Sequence, residues 1–222
     1  MPNSQPSTPP LRRSAPPRLP ALLAALTLAL GLALGPLLGH TPALGAGTGH
    51  TAAPPAVFPD LPLHLSAQEA ATLGLAAGGP TSLSRIPAQG LLVLLVSYFC
   101  PPCHKEIPRI KDLERRIRER GLSGRIRLVG LAAGDNEALV ERFTTRHGGL
   151  PFALVPDPTL AAHKRLGSPV VPSLYAIASG GGKLRLLSAS EGEFTEDPDV
   201  FLDALLRALP APPKSAKTSP RK

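Results

Sequence analysis

The sequence predicts an α/β sandwich, a mixed β-sheet flanked by helices, with a non-globular segment at each end. Three observations carry that expectation. Leu91-Leu92-Val93-Leu94-Leu95-Val96 is a continuous apolar run, the mark of a strand covered on both faces. Strand and helix patterns then alternate downstream of it. Finally, two apolar segments flank Gly180-Gly181-Gly182, which reads as an antiparallel hairpin and makes the sheet mixed rather than all-parallel.

The elements follow in order. A helix is expected from Pro101 or Pro102 to about Arg120. Ile107, Ile110, Leu113 and Ile117 recur on one of its faces, and Gly121 is placed to end it. Ile126–Leu131 reads as a second buried strand. Asp135 is placed to cap a helix that turns Leu139, Val140 and Phe143 inward and ends near Gly149. Phe152–Val155 is a short extended segment, and Thr159–Leu166 a short helix closed by Gly167. Ser173–Ala178 and Leu184–Ser188 form the hairpin. Asp197-Pro198 opens a last helix with Phe201, Ala204, Leu205 and Ala208 inward. There is no internal repeat.

The two ends differ sharply from the middle. Of the 28 prolines, 12 precede residue 61 and four lie from Pro210 onward. Arg12, Arg13 and Arg18 sit at one end and Lys214, Lys217, Arg221 and Lys222 at the other. Neither end contains an acid, so together they account for +7 of the formal +8. The basic balance therefore belongs to the tails. Arg115, Arg116, Arg118 and Arg120 are interleaved with Asp112, Glu114 and Glu119, which describes a solvated helix face, so no nucleic-acid partner is expected.

The N-terminus has the composition of an export signal. Three arginines precede the Leu/Ala run Ala21–Leu34, Gly35-Pro36 breaks it, and small residues follow around Ala43–Ala46. The uncharged stretch Ala21–Gly39 is near the lower length for crossing a bilayer, about 17 residues. A cleaved signal peptide and a retained inner-membrane anchor are both open. Either places residue 60 onward outside the inner membrane, in the periplasm, soluble or anchored. Arg12-Arg13 lacks the apolar residues that twin-arginine export prefers after the pair, and no cysteine follows the run to carry a lipid. The expected organisation is residues 1–46 as signal peptide or anchor, 47–60 as flexible linker, 61–209 as the folded domain and 210–222 as a basic disordered tail.

Cys100 and Cys103 are the only cysteines. A disulfide stabilises a fold mainly through the loop it closes, and a bridge across two residues closes almost none. Its use must lie in being made and broken. At a strand-to-helix junction Cys100 meets unpaired backbone N–H groups carrying about half a positive charge, which favours a thiolate. Cys103, one turn on, is placed to attack a mixed disulfide formed at Cys100. Pro101 and Pro102 are tolerated because the first helical positions have no N–H partner to lose. A zinc site needs about four ligands, and only His104 lies close to the pair. His40, His50, His64, His147 and His163 are scattered singly and read as ordinary surface residues. No metal or other cofactor is expected.

Cys100-Pro101-Pro102-Cys103-His104-Lys105-Glu106-Ile107-Pro108 resembles the active-site segment of the TlpA-like thiol–disulfide oxidoreductases, exported or membrane-anchored relatives of thioredoxin. Gly79–Ser84 is similar to the family's leading hairpin. Leu166-Gly167-Ser168-Pro169-Val170-Val171-Pro172-Ser173 is similar to its cis-proline loop. The likeness covers about residues 70–206 and implies a thioredoxin-like three-layer sandwich. It also implies residue roles. Cys100 would attack and Cys103 resolve, the two forming the redox-active disulfide. Glu106 would be an acid that handles the Cys103 proton, or else an exposed first-turn glutamate complementing the helix dipole. Pro108 would kink the helix. Pro172 would be the cis-proline, turning Val171 outward to pair with a substrate strand, beside Phe99, Pro101 and Pro102. The implied partners are disulfide-bearing or dithiol exported proteins and an upstream thiol electron donor, which could be membrane-embedded. A reductant role in cytochrome c maturation follows by analogy alone.

The sequence departs from the family pattern in places. Phe99 stands where most relatives carry tryptophan, and Leu94 where thioredoxin itself has a buried acid. Val170 replaces a frequent glycine and Ser173 a frequent threonine. Two other functions compete. A peroxiredoxin-like thiol peroxidase needs Pro and Thr seven and three residues before the attacking cysteine, and Val93 and Ser97 are found there. A copper-binding module would use Cys100, Cys103 and His104, although its relatives space the cysteines one residue wider.

Overall fold

A computed structural model describes residues 56–211. The expected signal segment, residues 47–55 of the expected linker and residues 212–222 of the expected tail lie outside the described residues. The chain runs β1 (Pro62–Leu65), α1 (Ala67–Thr72), β2 (Gly79–Ser82), β3 (Gly90–Val96), α2 (Pro101–Glu119), β4 (Ile126–Ala133), α3 (Glu137–Arg146), β5 (Ala153–Asp157), α4 (Ala161–Arg165), β6 (Ser173–Gly180), β7 (Lys183–Glu191) and α5 (Pro198–Ala208). A five-stranded sheet has the order β5-β4-β3-β6-β7, and β1 and β2 form a separate antiparallel pair. β3 lies parallel to β4 and antiparallel to β6, so the sheet is mixed.

The apolar run in β3 sits at the centre of the molecule because successive side chains point to opposite faces. Leu92, Leu94 and Val96 join Ile107, Ile110, Leu113 and Ile117 of α2, Phe143 of α3 and Leu202 and Leu205 of α5. Leu91, Val93 and Leu95 join Phe58, Leu61, Leu63 and Leu65, together with Ala70 and Leu73 beneath α1. Every residue of β3 is buried. The result is three layers with the sheet in the middle.

Five local expectations differ from what is found. The folded body begins before residue 61: Val57 bridges to Arg185, and the buried Phe58 ring lies 5.4 Å from that of Tyr175. A Gly/Ala/Pro composition hides the one aromatic that decides the matter. α3 is capped by Asn136, whose side chain accepts the Leu139 N–H, and not by Asp135. Only Phe143 of α3 is fully buried. In α5 the buried set is Phe201, Leu202 and Leu205, while Ala204 and Ala208 face solvent, because the larger side chains claim the sheet-facing stripe. The leading β1-α1-β2 unit goes beyond the Gly79–Ser84 stretch noted in the sequence, and a reciprocal capping box between Ser66 and Glu69 opens its helix.

Among the described residues, no helix is long and apolar enough to cross a membrane. The helix α2 runs on through Pro108 without interruption.

Candidate active site

β3 ends at Val96 and the chain turns through Ser97-Tyr98-Phe99 into α2. Cys100 is the N-cap of that helix, with Pro101 and Pro102 at its first two positions. Neither proline has an N–H, so the first free amide of α2 belongs to Cys103. It donates to Cys100 Sγ over 3.2 Å. The two residues are joined as a disulfide with a Cα–Cα distance of 5.3 Å. Cys100 is half-buried, whereas Cys103 is 0% exposed within the core beneath α2. Cys100 therefore meets solvent, and Cys103 does not.

The opposite wall is the loop before β6. The Val171–Pro172 bond is cis, and the Val171 carbonyl oxygen lies 3.5 Å from Cys100 Sγ. The loop is held from several sides. Ser173 Oγ donates to the Val170 carbonyl over 2.5 Å, and the Gly192 N–H donates to the Pro172 carbonyl over 2.8 Å. A ring nitrogen of His163 lies 2.8 Å from the Pro169 carbonyl and donates to it. His163 is thus a tether of this loop and not the ordinary surface residue expected. Phe99, next to Cys100 in the chain, and Val170, next to Val171, are uncovered apolar side chains, 74% and 59% exposed.

Glu106 is one turn along α2 from Cys103 and is 3% exposed, which removes the reading of an exposed first-turn glutamate. Its Oε1 accepts the backbone N–H of Phe194 over 3.0 Å. Burial pushes its pKa up. The Phe194 hydrogen bond and Arg109 pull against that shift, and Glu193 adds to it. A carboxyl so placed is easier to protonate at neutral pH than a solvated one.

Two residues that sequence reasoning assigned elsewhere hold the active-site loop. Asp135 is 1% exposed at the end of β4, and its carboxylate accepts the Tyr98 N–H over 2.6 Å and the Ser97 hydroxyl over 3.3 Å. The carboxyl ends of parallel strands converge on such sites, and that signal could have drawn attention to Asp135. His104 Nε2 lies 2.7 Å from the Tyr98 carbonyl, and its Nδ1 lies 2.9 Å from His147 Nε2. The two rings stack at 5.1 Å. His147, expected at the surface, is half-buried behind the site. No sequence signal pairs residues 104 and 147, since the contact exists only once α3 packs beside α2.

Residues 64–185, more than half of the chain, match the model of the AhpC/TSA family. The chain belongs to the AhpC/TSA family. Over 119 residues it is 26% identical to the thiol-disulfide oxidoreductase ResA of Halalkalibacterium halodurans, an alignment covering 54% of this chain and 63% of that protein. The chain thus spans less than two thirds of that relative's length. Among solved structures, a Chlorobium tepidum protein assigned as the thiol:disulfide interchange protein DsbE superposes with a TM-score of 0.52 at 17% identity. It covers 71% of this chain and 99% of its own. A Bacteroides thetaiotaomicron protein assigned as a protein disulfide isomerase gives 0.51 at 17% identity, over 68% and 85%. These superpositions show the thioredoxin-like fold, in accord with the TlpA-like resemblance of the sequence.

Within this AhpC/TSA family member the competing chemistries fit less well. The position seven residues before Cys100 is Val93, enclosed in β3 between β4 and β6, and the Ser97 hydroxyl is engaged by Asp135. Both ring nitrogens of His104 are occupied, so neither is aimed at a metal shared with the sulfurs. Among the described residues, no group of three or more His, Cys, Asp or Glu is disposed to hold an ion.

Proposed function

We propose that this protein is a thiol–disulfide oxidoreductase exchanging disulfides with exported proteins through Cys100 and Cys103. The observation that carries the proposal is the pairing of a reachable Cys100 at the helix N-terminus with a fully buried Cys103 behind it. In the reducing direction the Cys100 thiolate attacks a substrate disulfide, forms a mixed disulfide and expels one substrate thiolate. Cys103 then loses its proton and attacks Cys100 Sγ, closing the disulfide and releasing the second substrate thiolate. Two electrons pass to the substrate. Glu106 takes the Cys103 proton in this scheme, and its raised pKa suits it to return that proton in the opposite direction.

Substrate is held by Val171 beside Pro172, whose backbone a passing strand can pair with. Phe99, Pro101 and Pro102 form an apolar rim that suits a disulfide flanked by non-polar residues. The finer parts of the proposal are a periplasmic location, inner-membrane attachment through the N-terminal apolar segment, and an upstream thiol donor. A reductant role in cytochrome c maturation is its narrowest form.

The test uses the full chain with insulin as a disulfide-bearing substrate. Cys103→Ser should accumulate a mixed disulfide visible on non-reducing gels, and Cys100→Ser should neither react nor turn over. Wild-type turnover by both variants would end the proposal.

A further inference from the structure

Tyr98, two residues before Cys100, is held through both of its backbone polar groups. Asp135 accepts its N–H, and His104 meets its carbonyl. A carbonyl can only accept, so Nε2 of His104 carries a hydrogen. When the pair is uncharged, His104 Nδ1 is then an acceptor, and the hydrogen on the 2.9 Å contact belongs to His147 Nε2. One ring dictates the tautomer of the other. The His147 ring is itself fixed. It packs against Phe143 and His104, with centroids 4.9 Å and 5.1 Å apart, while Lys111 Nζ donates to the backbone carbonyl of the same residue over 2.5 Å. Burial, then His104, Lys111 and Arg146, lower its pKa, which favours the neutral ring.

We infer that His147 is a positioning residue for the exchange reaction: by donating to His104 it locks the tautomer that grips Tyr98 and so sets Cys100 at the start of α2. His147 touches neither sulfur. It acts through His104, whose donated hydrogen holds the Tyr98 carbonyl within the Ser97–Cys100 turn that leads to the Cys103 amide. The backbone of His147 also caps α3, and that role does not depend on its side chain. The inference deepens the exchange reading and rests on it for its functional meaning.

The test compares reduced wild type with His147→Leu, which cannot donate, and His147→Gln, whose amide can. Nitrogen-15 spectra of the imidazoles should show His104 as the single Nε2–H tautomer in wild type and in the Gln variant, and as a mixture in the Leu variant. Alkylation of Cys100 by iodoacetamide should slow about 5-fold in the Leu variant, the worth of one ordinary hydrogen bond, and recover in the Gln variant. If the Leu variant fails to fold, the wild-type tautomer and the Gln rescue decide the matter. A mixed His104 tautomer in wild type, or equal alkylation by all three proteins, overturns the inference. Neither readout needs substrate turnover. A wild type that shows the single tautomer yet leaves insulin intact would count against the exchange proposal and leave this arrangement standing.

Discussion

Glu106 Oε1 accepts a hydrogen bond from the backbone N–H of Phe194, 88 residues further along the chain. The bond ties the first turns of α2 to the segment leading into α5. Two residues earlier in that segment, Gly192 donates to the Pro172 carbonyl. A three-residue stretch thus touches both the buried carboxyl and the loop facing Cys100.

Glu106→Gln should keep the hydrogen bond from Phe194 and lose the ionisation. Exchange by the wild type should rise with pH through the elevated Glu106 pKa, as the carboxylate becomes available to take the Cys103 proton. The Gln variant should lack that limb and resolve mixed disulfides about 100-fold more slowly, the low end of general acid–base effects. Stopped-flow measurement of resolution between pH 5 and 9 checks this, and superimposable profiles would remove Glu106 from the mechanism.

Glu114 offers a test of stability alone. Burial pushes its carboxyl up to about 7, against the opposing pull of Arg118 and Arg127. A carboxyl with a folded pKa above its unfolded value stabilises the fold fully below the unfolded pKa. That contribution fades as pH rises through the folded pKa. Wild type should therefore lose stability between about pH 4.5 and pH 8. Glu114→Gln should lose less over that range, by about 1 to 2 kcal/mol, a figure kept modest because the residue is partly solvated. Urea unfolding at pH 5 and pH 8 measures it, and parallel losses in the two proteins would disprove it.

Phe99 separates docking from folding. The residue is 74% exposed, and its ring meets that of Tyr98 edge-on at 5.1 Å. Phe99→Ala should change stability by no more than about 0.5 kcal/mol. It should raise KM for a protein substrate about 5-fold, with iodoacetamide alkylation of Cys100 unaltered. A shift in alkylation with no change in KM would place Phe99 in the loop's architecture instead of in recognition.

Much of the fold was legible because it rests on local rules. The apolar run of β3 could be read as doubly covered from six consecutive residues. α2 showed its buried face by spacing, and the hairpin β6-β7 announced itself by three glycines. Cys100 and Cys103 were legible for a different reason: two cysteines with only two residues between them close no useful loop, so chemistry is what remains. Boundaries were read less well. Asp135 has the look of a cap, a carboxylate just before a helix, yet its neighbour Asn136 fills that place.

The amino-acid sequence by itself determined the layer order, the placement of Cys100 at a helix start and the charge of the two ends, because each depends on periodicity or on neighbours within one turn. The tertiary structure alone decided which partners the polar groups around the start of α2 find. Asp135 and Tyr98, His104 and His147, and Glu106 and Phe194 meet across separations of 37, 43 and 88 residues. Such pairs leave no periodic trace. They form when the helices settle on the sheet, and burial then obliges each polar group to find a partner.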